Sequence, residues 1–507
     1  MVINEITALE QIGFPILSTM ILLPLFWCVL IFIYSGKHLR ELALAGALIE
    51  LVLSLLVLVQ FKSGTADFQF TEMLNWMPSI GVSYHLGIDG ISVLFIPLTA
   101  IINILLILAS WSNIKYYKKQ YLIALFIIVS TTIGIFSSLD LILYFLFWEL
   151  ALIPVFLLIQ FWGVGQDRQH AAQKYMVYML ASSAPLLIGF LLLGLNHINV
   201  ANAAGITEIK VFDLITLMNI EIPMSLQVTI LICLVIGFAV KAPIIPFHTW
   251  LSSTLMAGPL GPSAFLVGLK LGVYGIIRFI MPLLPDALAE WGWVLAVFGI
   301  IAVIYGGLIA LVQANLRRLI AFASVSHVGL ALIGVASFNF NSIQGVIIIL
   351  FHLGIIATTL FLMTEFLYSR YGSTDIKSLG GISHQMPRLS GIFFILGLSF
   401  IAVPGTSGFT AEFLILVGAF NANWIYAVLA LVGVVLSGSY FLHYFGKAFL
   451  GKVKTQYVNT YDLQLRELII VVPALIIVFW LGLFPNVFLD MTNSSVEHII
   501  QINNVIK

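Results

Sequence analysis

Fourteen apolar runs follow one another along the chain, at about 13–33, 42–61, 88–110, 120–137, 139–162, 174–195, 224–250, 260–281, 291–312, 319–336, 343–368, 389–420, 424–446 and 467–487. Each is long enough to cross roughly 30 Å of hydrocarbon as a helix rising about 1.5 Å per residue. A segment in lipid must satisfy its backbone polar groups internally, so the fourteen runs predict an all-α polytopic membrane protein. Composition agrees, with 61% of the 507 residues hydrophobic, 9% charged and a mean hydropathy of +1.11. A water-soluble domain carries about 25% charged residues. The formal net charge is zero and no basic tract appears, which argues against nucleic acid as a partner. Cys28 and Cys233 lie singly inside apolar runs, so neither a disulfide framework nor a cluster-binding motif can be built from them. Electron transfer, if any, belongs to other chains. The N-terminal MVINEITALEQIG is acidic and has no basic n-region, so the first run reads as a permanent span rather than a signal peptide.

A few residues in these runs do not suit lipid. Leu231–Trp250, LICLVIGFAVKAPIIPFHTW, carries Lys241 and then breaks at Pro243 and Pro246. An ammonium at the centre of a spanning helix costs about 2.5–3.5 kcal/mol on insertion scales, so it is retained beside a partner or a hydrated cavity. The prolines free backbone groups that membrane depth tolerates only where protein or water meets them, and such broken helices mark ion sites in transporters. The twelfth run is also too long for one crossing, and it breaks at VPGTSGF, Val403–Phe409, with Glu412 just beyond. If spans 4–8 and 9–13 are two units of five, the odd number inverts the second relative to the first. The two breaks then take the fourth place in each of two inverted five-helix repeats. This divides the chain into an N-terminal three-span segment, 1–115, two half-channel repeats, 116–281 and 282–450, and a last span and tail, 451–507.

Alternating the loops puts sixteen Lys and Arg on one face and four on the other, Lys62, Lys210, Arg278 and Lys507. The positive-inside rule makes the richer face cytoplasmic and both termini non-cytoplasmic. Lys241 and Lys270 belong to neither face. The outer loop 62–87, with Trp76, Pro78 and Tyr84, reads as an ordered cap, and the stretch 203–223 as a helix lying at the outer interface.

The intramembrane polar set is Glu50, Glu149, Lys241, Lys270, His327, His352, Glu365 and Glu412. Glu149 lies nine residues after Asp140, about 13 Å into the membrane. Lys270, in AFLVGLKLGVYG, sits at similar depth. A Glu149–Lys241 pair would keep both groups charged and tie the proton affinity of each to the other's position, the basis of a proton switch. One such pair serves equally as a static salt bridge that fixes packing. Several ionisable groups in succession favour transport, although His327 and His352 are equally suited to hydrogen bonding across helices. Glu365, near a span end, reads as snorkelling or paired there, His248 as a partner for backbone freed by the prolines, and Glu50 is given no role. No Walker A loop, dinucleotide fingerprint or His/Cys set at metal spacing is present. Titratable groups of both signs without a wide polar lumen favour protons as the species moved.

The segments HLGIDGISVLFIPLTA (85–100), FWELALIPVFLLI (147–159), AVKAPIIPFHTWL (239–251), LVGLKLGVYG (266–275), RRLIAFASVSHVGL (317–330) and VPGTSGFTAEFLIL (403–416) resemble a known family. It is that of chain M, or subunit 4, the proton-pumping membrane subunit of respiratory NADH:quinone oxidoreductase (complex I). These subunits are themselves similar to subunits of multi-subunit sodium/proton antiporters. GIDGIS opening the third span, and a chain that stops about twenty residues after the last span, favour chain M over the subunit 5 type. The resemblance implies that Glu149 and Lys241 form the switch pair, that Lys270 is the central carrier, and that His327 and His352 lead to Glu412 at the exit side. It implies no cofactor in this chain, with flavin, iron–sulfur clusters and quinone held by partner subunits whose quinone reduction supplies the energy. The implied surroundings are other membrane subunits, the lipid bilayer of a bacterial plasma membrane, and protons.

Departures from that pattern fall on the basic face. After HTWL the family reads Pro-Asp-Ala-His and then Glu-Ala-Pro, whereas SSTLMAGPLGPS stands here; Asn315 replaces an Asp and Arg317 a Lys. These changes leave the central carriers intact and touch the usual route of proton entry. They keep open a cation/proton antiporter subunit, or a proton-driven module for inorganic-carbon uptake, as the rival reading. A scaffold that pumps nothing would explain the bundle but not the buried acids and lysines.

Overall fold

Helix starts are written locally in this chain. Asp140 opens the fifth span by accepting from the N–H groups of Ile142 and Leu143 at 2.9 and 3.1 Å. Asn315, Asn339 and Asn423 cap the tenth, eleventh and thirteenth spans in the same way. Each meets N–H groups that the first turn leaves without partners. The computed structural model describes residues 4–205, 210–259, 263, 265, 266, 268–453 and 460–504. Lys454, Lys507 and residues 260–262 of the altered loop lie outside the described residues. Among the described residues, eleven helices are long and apolar enough to cross a bilayer. Phe95–Ala109, Leu271–Leu283 and the pair Pro387–Phe400 and Ser407–Ala422 supply the other crossings, which accounts for all fourteen runs.

Burial ranks these spans. The most apolar window of the eleventh, Phe340–Tyr371, is entirely enclosed and that of the tenth, Leu316–Ser337, is 89% buried, whereas the first two spans are only 33% buried. Spans ten and eleven therefore form the axis, with the outer spans left to face lipid or neighbours. Small residues permit the closest approaches: a Cβ on Gly329 would lie 2.5 Å from the carbonyl oxygen of Gly299 on the ninth span. Packing of this kind replaces the hydrophobic effect, which is weak between helices already in lipid.

The seventh span breaks as expected, between Met224–Lys241 and Thr249–Ala257, and so does the twelfth, between Pro387–Phe400 and Ser407–Ala422. Gly408 holds the second break closed, since a Cβ there would meet the carbonyl oxygen of Ser399 at 2.2 Å and the ring of His352 at 3.2 Å. Two further interruptions were not anticipated. The eighth span starts a helix anew after Lys270, at Leu271–Gly275, and then passes through a π turn, Ile276–Ile280. The fifth is offset at Ala151, between Leu141–Leu150 and Leu152–Trp162. There Pro154 removes the N–H that would have bonded the carbonyl of Leu150.

The outer loop is an ordered cap, but it is a sheet, which an all-α reading did not include. Strand β1, Glu5–Thr7, pairs in parallel with β2, Phe68–Met77, which pairs antiparallel with β3, Val82–Ile88. The expected interfacial helix at 203–223 does not form in the described part of that stretch. The sixth span continues to Ala203, residues 206–209 lie outside the described residues, and a single turn, Leu214–Leu217, follows. Asp213 caps that turn and also binds His85 of β3, Oδ1 to Nδ1, at 2.6 Å, so the segment is pulled onto the sheet. The other ring nitrogen of His85 lies 3.2 Å from Glu5 Oε2. Beneath the cap, Arg278 grips Asp89 of the GIDG turn at 2.9 and 2.5 Å, and Gly90 N–H donates to Ser495 on the C-terminal helix, Asn486–Asn504.

Burial alone would lower the proton affinity of His85, but hydrogen bonds and charge from Asp213 and Glu5 outweigh it and raise its pKa to about 9. The hydrogen bond to His85 lowers Glu5, and in Asp213 the same contact overcomes the upward push of burial. A raised histidine contributes fully below its ordinary 6.5 and loses that contribution as pH climbs through about 9. Lowered carboxylates contribute above their ordinary 4.5 and 3.8 and lose it as pH falls further. The cap is thus held tightest between roughly pH 5 and 6.5 and loosens toward pH 9. His85→Gln is expected to cost the cap about 3–5 kcal/mol of local stability by leaving the buried Asp213 carboxylate without its cation. Amide hydrogen exchange would then speed up across Phe68–Met77 and stay unchanged in the spans; unaltered protection of β2 would refute the latch. Gly408→Ala is expected to destabilise the subunit by about 1–3 kcal/mol through overpacking, read as a lower melting temperature of the purified complex.

Candidate functional site

The two half-buried charges come first. Glu149 sits two residues before the offset at Ala151, and its carboxylate accepts from the Ser183 hydroxyl on the sixth span. Lys241 is the last residue of the first half of the seventh span, where a cation suits the negative end of the helix dipole. Its Nζ donates to the carbonyl of Trp148 at 3.2 Å and stands 3.7 Å above the centroid of that indole ring. The expected Glu149–Lys241 ion pair is therefore not closed among the described residues: the carboxylate is held by a serine, and the ammonium by the residue before it. The physical reason is the π face of Trp148, which with its carbonyl offers a desolvated ammonium a cation–π site. Glu149 remains a charged neighbour of Lys241. The carbonyl of Val240, freed by the break, is met by Trp250 Nε1 at 2.8 Å, and Lys174 Nζ donates to the carbonyl of Thr249, at the start of the second half, at 3.0 Å. His248 meets the backbone of Pro246 within the break, as expected, and packs edge-on against Tyr305.

Lys270 is deeply buried, 4% exposed, at the break of the eighth span. Its Nζ donates to Ser324 Oγ of the tenth span at 2.5 Å. Three residues on, and so on the neighbouring position of the same helix face, stands His327. Its Nδ1 lies 2.7 Å from the carbonyl of Ala323 and its Nε2 3.1 Å from that of Phe400, the last residue before the twelfth-span break. The same Nε2 is 3.6 Å from Glu412 Oε1. With acceptors at both nitrogens, a protonated ring can donate on both sides with Glu412 as its counter-charge. Glu412 Oε2 has no partner among the described residues, and a cavity of about 10 Å³ between Ser326, His327, Glu412 and Ser437 adjoins it. His352, on the eleventh span, pairs Nδ1 with Ser407 Oγ at 2.7 Å, where the second half of the twelfth span begins.

The fold thus brings Lys270, His327 and Glu412 into one line, sets His352 against the same break, and keeps Glu149 and Lys241 together on the first unit. It does not link Glu50, which is 1% exposed with neither oxygen partnered among the described residues. Glu365 proves to be buried and paired rather than snorkelling, accepting from Asn113 at 2.5 Å. What the sequence reading overlooked are the hydroxyls of Ser183, Ser324 and Ser407, each the direct partner of an ionisable group. A serine inside an apolar run is a common helix-packing residue, and only the charge it faces distinguishes it.

The sequence model of the family described as NADH:quinone oxidoreductase/Mrp antiporter, TM, matches residues 138–437, more than half of the chain. NADH-ubiquinone oxidoreductase chain 4 of Arabidopsis thaliana is 36% identical over 491 residues, covering 96% of this chain and 97% of that protein. NADH-quinone oxidoreductase subunit M of Rickettsia prowazekii is 35% identical over 497 residues, covering 96% and 99%. A chain in the structure of respiratory complex I from Thermus thermophilus with bound NADH superposes with a TM-score of 0.86 at 27% identity, covering 96% of this chain and 99% of its own. The line of buried acids, lysines and histidines lies within the matched region. The chain belongs to the NADH:quinone oxidoreductase/Mrp antiporter family of membrane subunits, and within it to the proton-pumping subunit M, or chain 4, group of NADH:quinone oxidoreductase.

Proposed function

We propose that proton movement through this subunit runs along the buried line, with Glu149 and Lys241 as the switch, Lys270 as the central carrier, and His327, His352 and Glu412 as the outward limb. The observation that carries this reading is the contact of Lys270 with Ser324 at 2.5 Å, three residues before the histidine that meets Glu412 at 3.6 Å. A serine hydroxyl both donates and accepts, so it can hold a charged or a neutral lysine and relay a proton through water. The switch would work by swinging the Lys241 ammonium from the Trp148 carbonyl to the Glu149 carboxylate. A unit charge roughly 10 Å away acts with about 1.7 kcal/mol at an effective dielectric of about 20. Swinging that charge by about 4 Å, from roughly 10 to roughly 14 Å, changes the interaction by about 0.5 kcal/mol, about a twofold change in whether Lys270 keeps its proton.

In this reading the repeats 116–281 and 282–450 are the two half-channels, between the N-terminal segment 1–115 and the tail 451–507. The drive comes from quinone reduction in partner subunits, which would hold the flavin, the iron–sulfur clusters and the quinone; this chain contributes no redox centre. The basic face is the cytoplasmic one, and both termini lie on the other side of a bacterial plasma membrane. Lys241→Ala and Glu149→Ala are each expected to abolish the pH gradient formed per NADH oxidised while the complex stays assembled on a native gel. Wild-type pumping in either variant would remove that residue from the switch.

A further inference from the structure

A second acid lies above Lys270, toward the Lys- and Arg-rich face. Glu365, on the eleventh span, is 6% exposed; its Oε1 accepts from Asn113 Nδ2 at 2.5 Å and its Oε2 has no partner among the described residues. Arg317, on the tenth span, is 3% exposed. Its Nη1 donates to the carbonyl of Met256 at 3.2 Å and its guanidinium rests 4.6 Å from the Tyr368 ring centroid, while Nε and Nη2 have no partner among the described residues. Arg317 is a charged neighbour of Glu365, yet no direct ion pair joins them among the described residues. Buried donors and a buried acceptor, close but not touching, are a geometry that water bridges.

Both helices point from these groups to Lys270. Ser324 lies seven residues after Arg317 on the tenth span, and Thr358 seven before Glu365 on the eleventh, which runs the other way. Seven residues are about two turns, so each pair shares a helix face about 10.5 Å apart in depth. Ser324 holds the Lys270 ammonium. Thr358 lies against Gly268, where a Cβ would meet its Oγ1 at 2.2 Å, two residues before Lys270. Lys270 therefore lies against spans ten and eleven about two turns deeper than Arg317 and Glu365. The stretch 252–263 on the same face, SSTLMAGPLGPS, contains no titratable side chain and offers no competing acid.

Taking the proposed role of Lys270 as its basis, we infer that Glu365 is the proton-uptake group of this chain, positioned by Asn113 and Arg317 and delivering to Lys270 between spans ten and eleven. The Glu365 carboxylate takes a proton from water and becomes the acid. It releases that proton through water to the neutral Lys270 amine, which becomes ammonium, and returns to carboxylate. Only O–H and N–H bonds change. The groups facing Glu365 are Arg317, Asn113, Tyr121 of the fourth span, and Arg466 and Glu467 at the start of the fourteenth. Glu467 is itself neutralised by Arg370 through contacts of 3.0 and 2.6 Å. The surrounding charges are thus net positive and stabilise the carboxylate left after each proton is handed to Lys270.

The test uses the whole assembled complex in sealed vesicles, with proton translocation and quinone reduction measured across pH. Glu365→Gln keeps the shape and the acceptor toward Asn113, so a purely structural role predicts no change. Proton uptake predicts that coupled translocation falls by about tenfold or more, that Glu365→Asp restores most of it, and that NADH oxidation by a soluble acceptor is unaffected. Asn113→Asp sets a second carboxylate against the first, and is expected to move the pH profile of translocation upward by about one unit. Wild-type translocation in Glu365→Gln, or an unmoved profile in Asn113→Asp should the first variant fail to assemble, overturns the inference. Lys270→Ala run in parallel separates the two levels. Its failure with a silent Glu365→Gln removes only the uptake role, whereas normal pumping in Lys270→Ala shows that the underlying relay is wrong.

Discussion

A polar group inside this bundle cannot turn to bulk water, so most are met by another part of the protein, and the exceptions, such as Glu365 Oε2 and Glu412 Oε2, stand out. That requirement explains most of what is irregular in the structure. Where Pro243 and Pro246 stop a helix, the indole of Trp250 takes the stranded carbonyl of Val240. Where Lys270 interrupts the eighth span, Ser324 receives its charge. Where β1–β3 cover the outer face, His85 is clasped between Asp213 and Glu5. A bilayer makes these contacts obligatory because an unmet group there costs several kcal/mol.

The same constraint gives a reason for the opposite signs of the charges at the two long breaks. Lys241 ends the helix before its break, whereas Glu412 lies in the second turn of the helix after its own. A cation belongs at a helix C-terminus and an anion near an N-terminus. The first break therefore favours the charge of Lys241 without a closed ion pair, whereas Glu412, a turn further in, relies on His327 at 3.6 Å. The fully enclosed eleventh span lies against the twelfth-span break and brings His352 to Ser407.

Substitutions on the basic face change the chemistry there without loosening the helix. Asn315 still caps the tenth span, accepting from the Arg317 N–H at 3.0 Å, and its amide donates to Asp375 at 2.8 Å. A side-chain oxygen is all a cap requires, so an amide serves as well as a carboxylate. Glu365, carried by the axis of the bundle, is a buried acid on this side about two turns from the level of Lys270.

Much of this was legible in the residues. Hydrophobic length set the crossings, prolines and glycines set the two long breaks, and the cost of charge in lipid singled out Glu149, Lys241, Lys270 and Glu412. The cap sheet was missed because β2 and β3 are held by pairing with each other and by Asp213, far along the chain. The break at Lys270 was missed because no proline announces it. The sequence by itself determined that the chain spans a membrane many times and buries acids and bases at mid-depth, since apolar length and helix breaking are properties of neighbouring residues. Only the tertiary structure decided that Lys270 meets a serine 54 residues away and that Lys241 rests on Trp148 instead of Glu149. Those choices are made by which faces of distant helices pack together, and no local pattern encodes them.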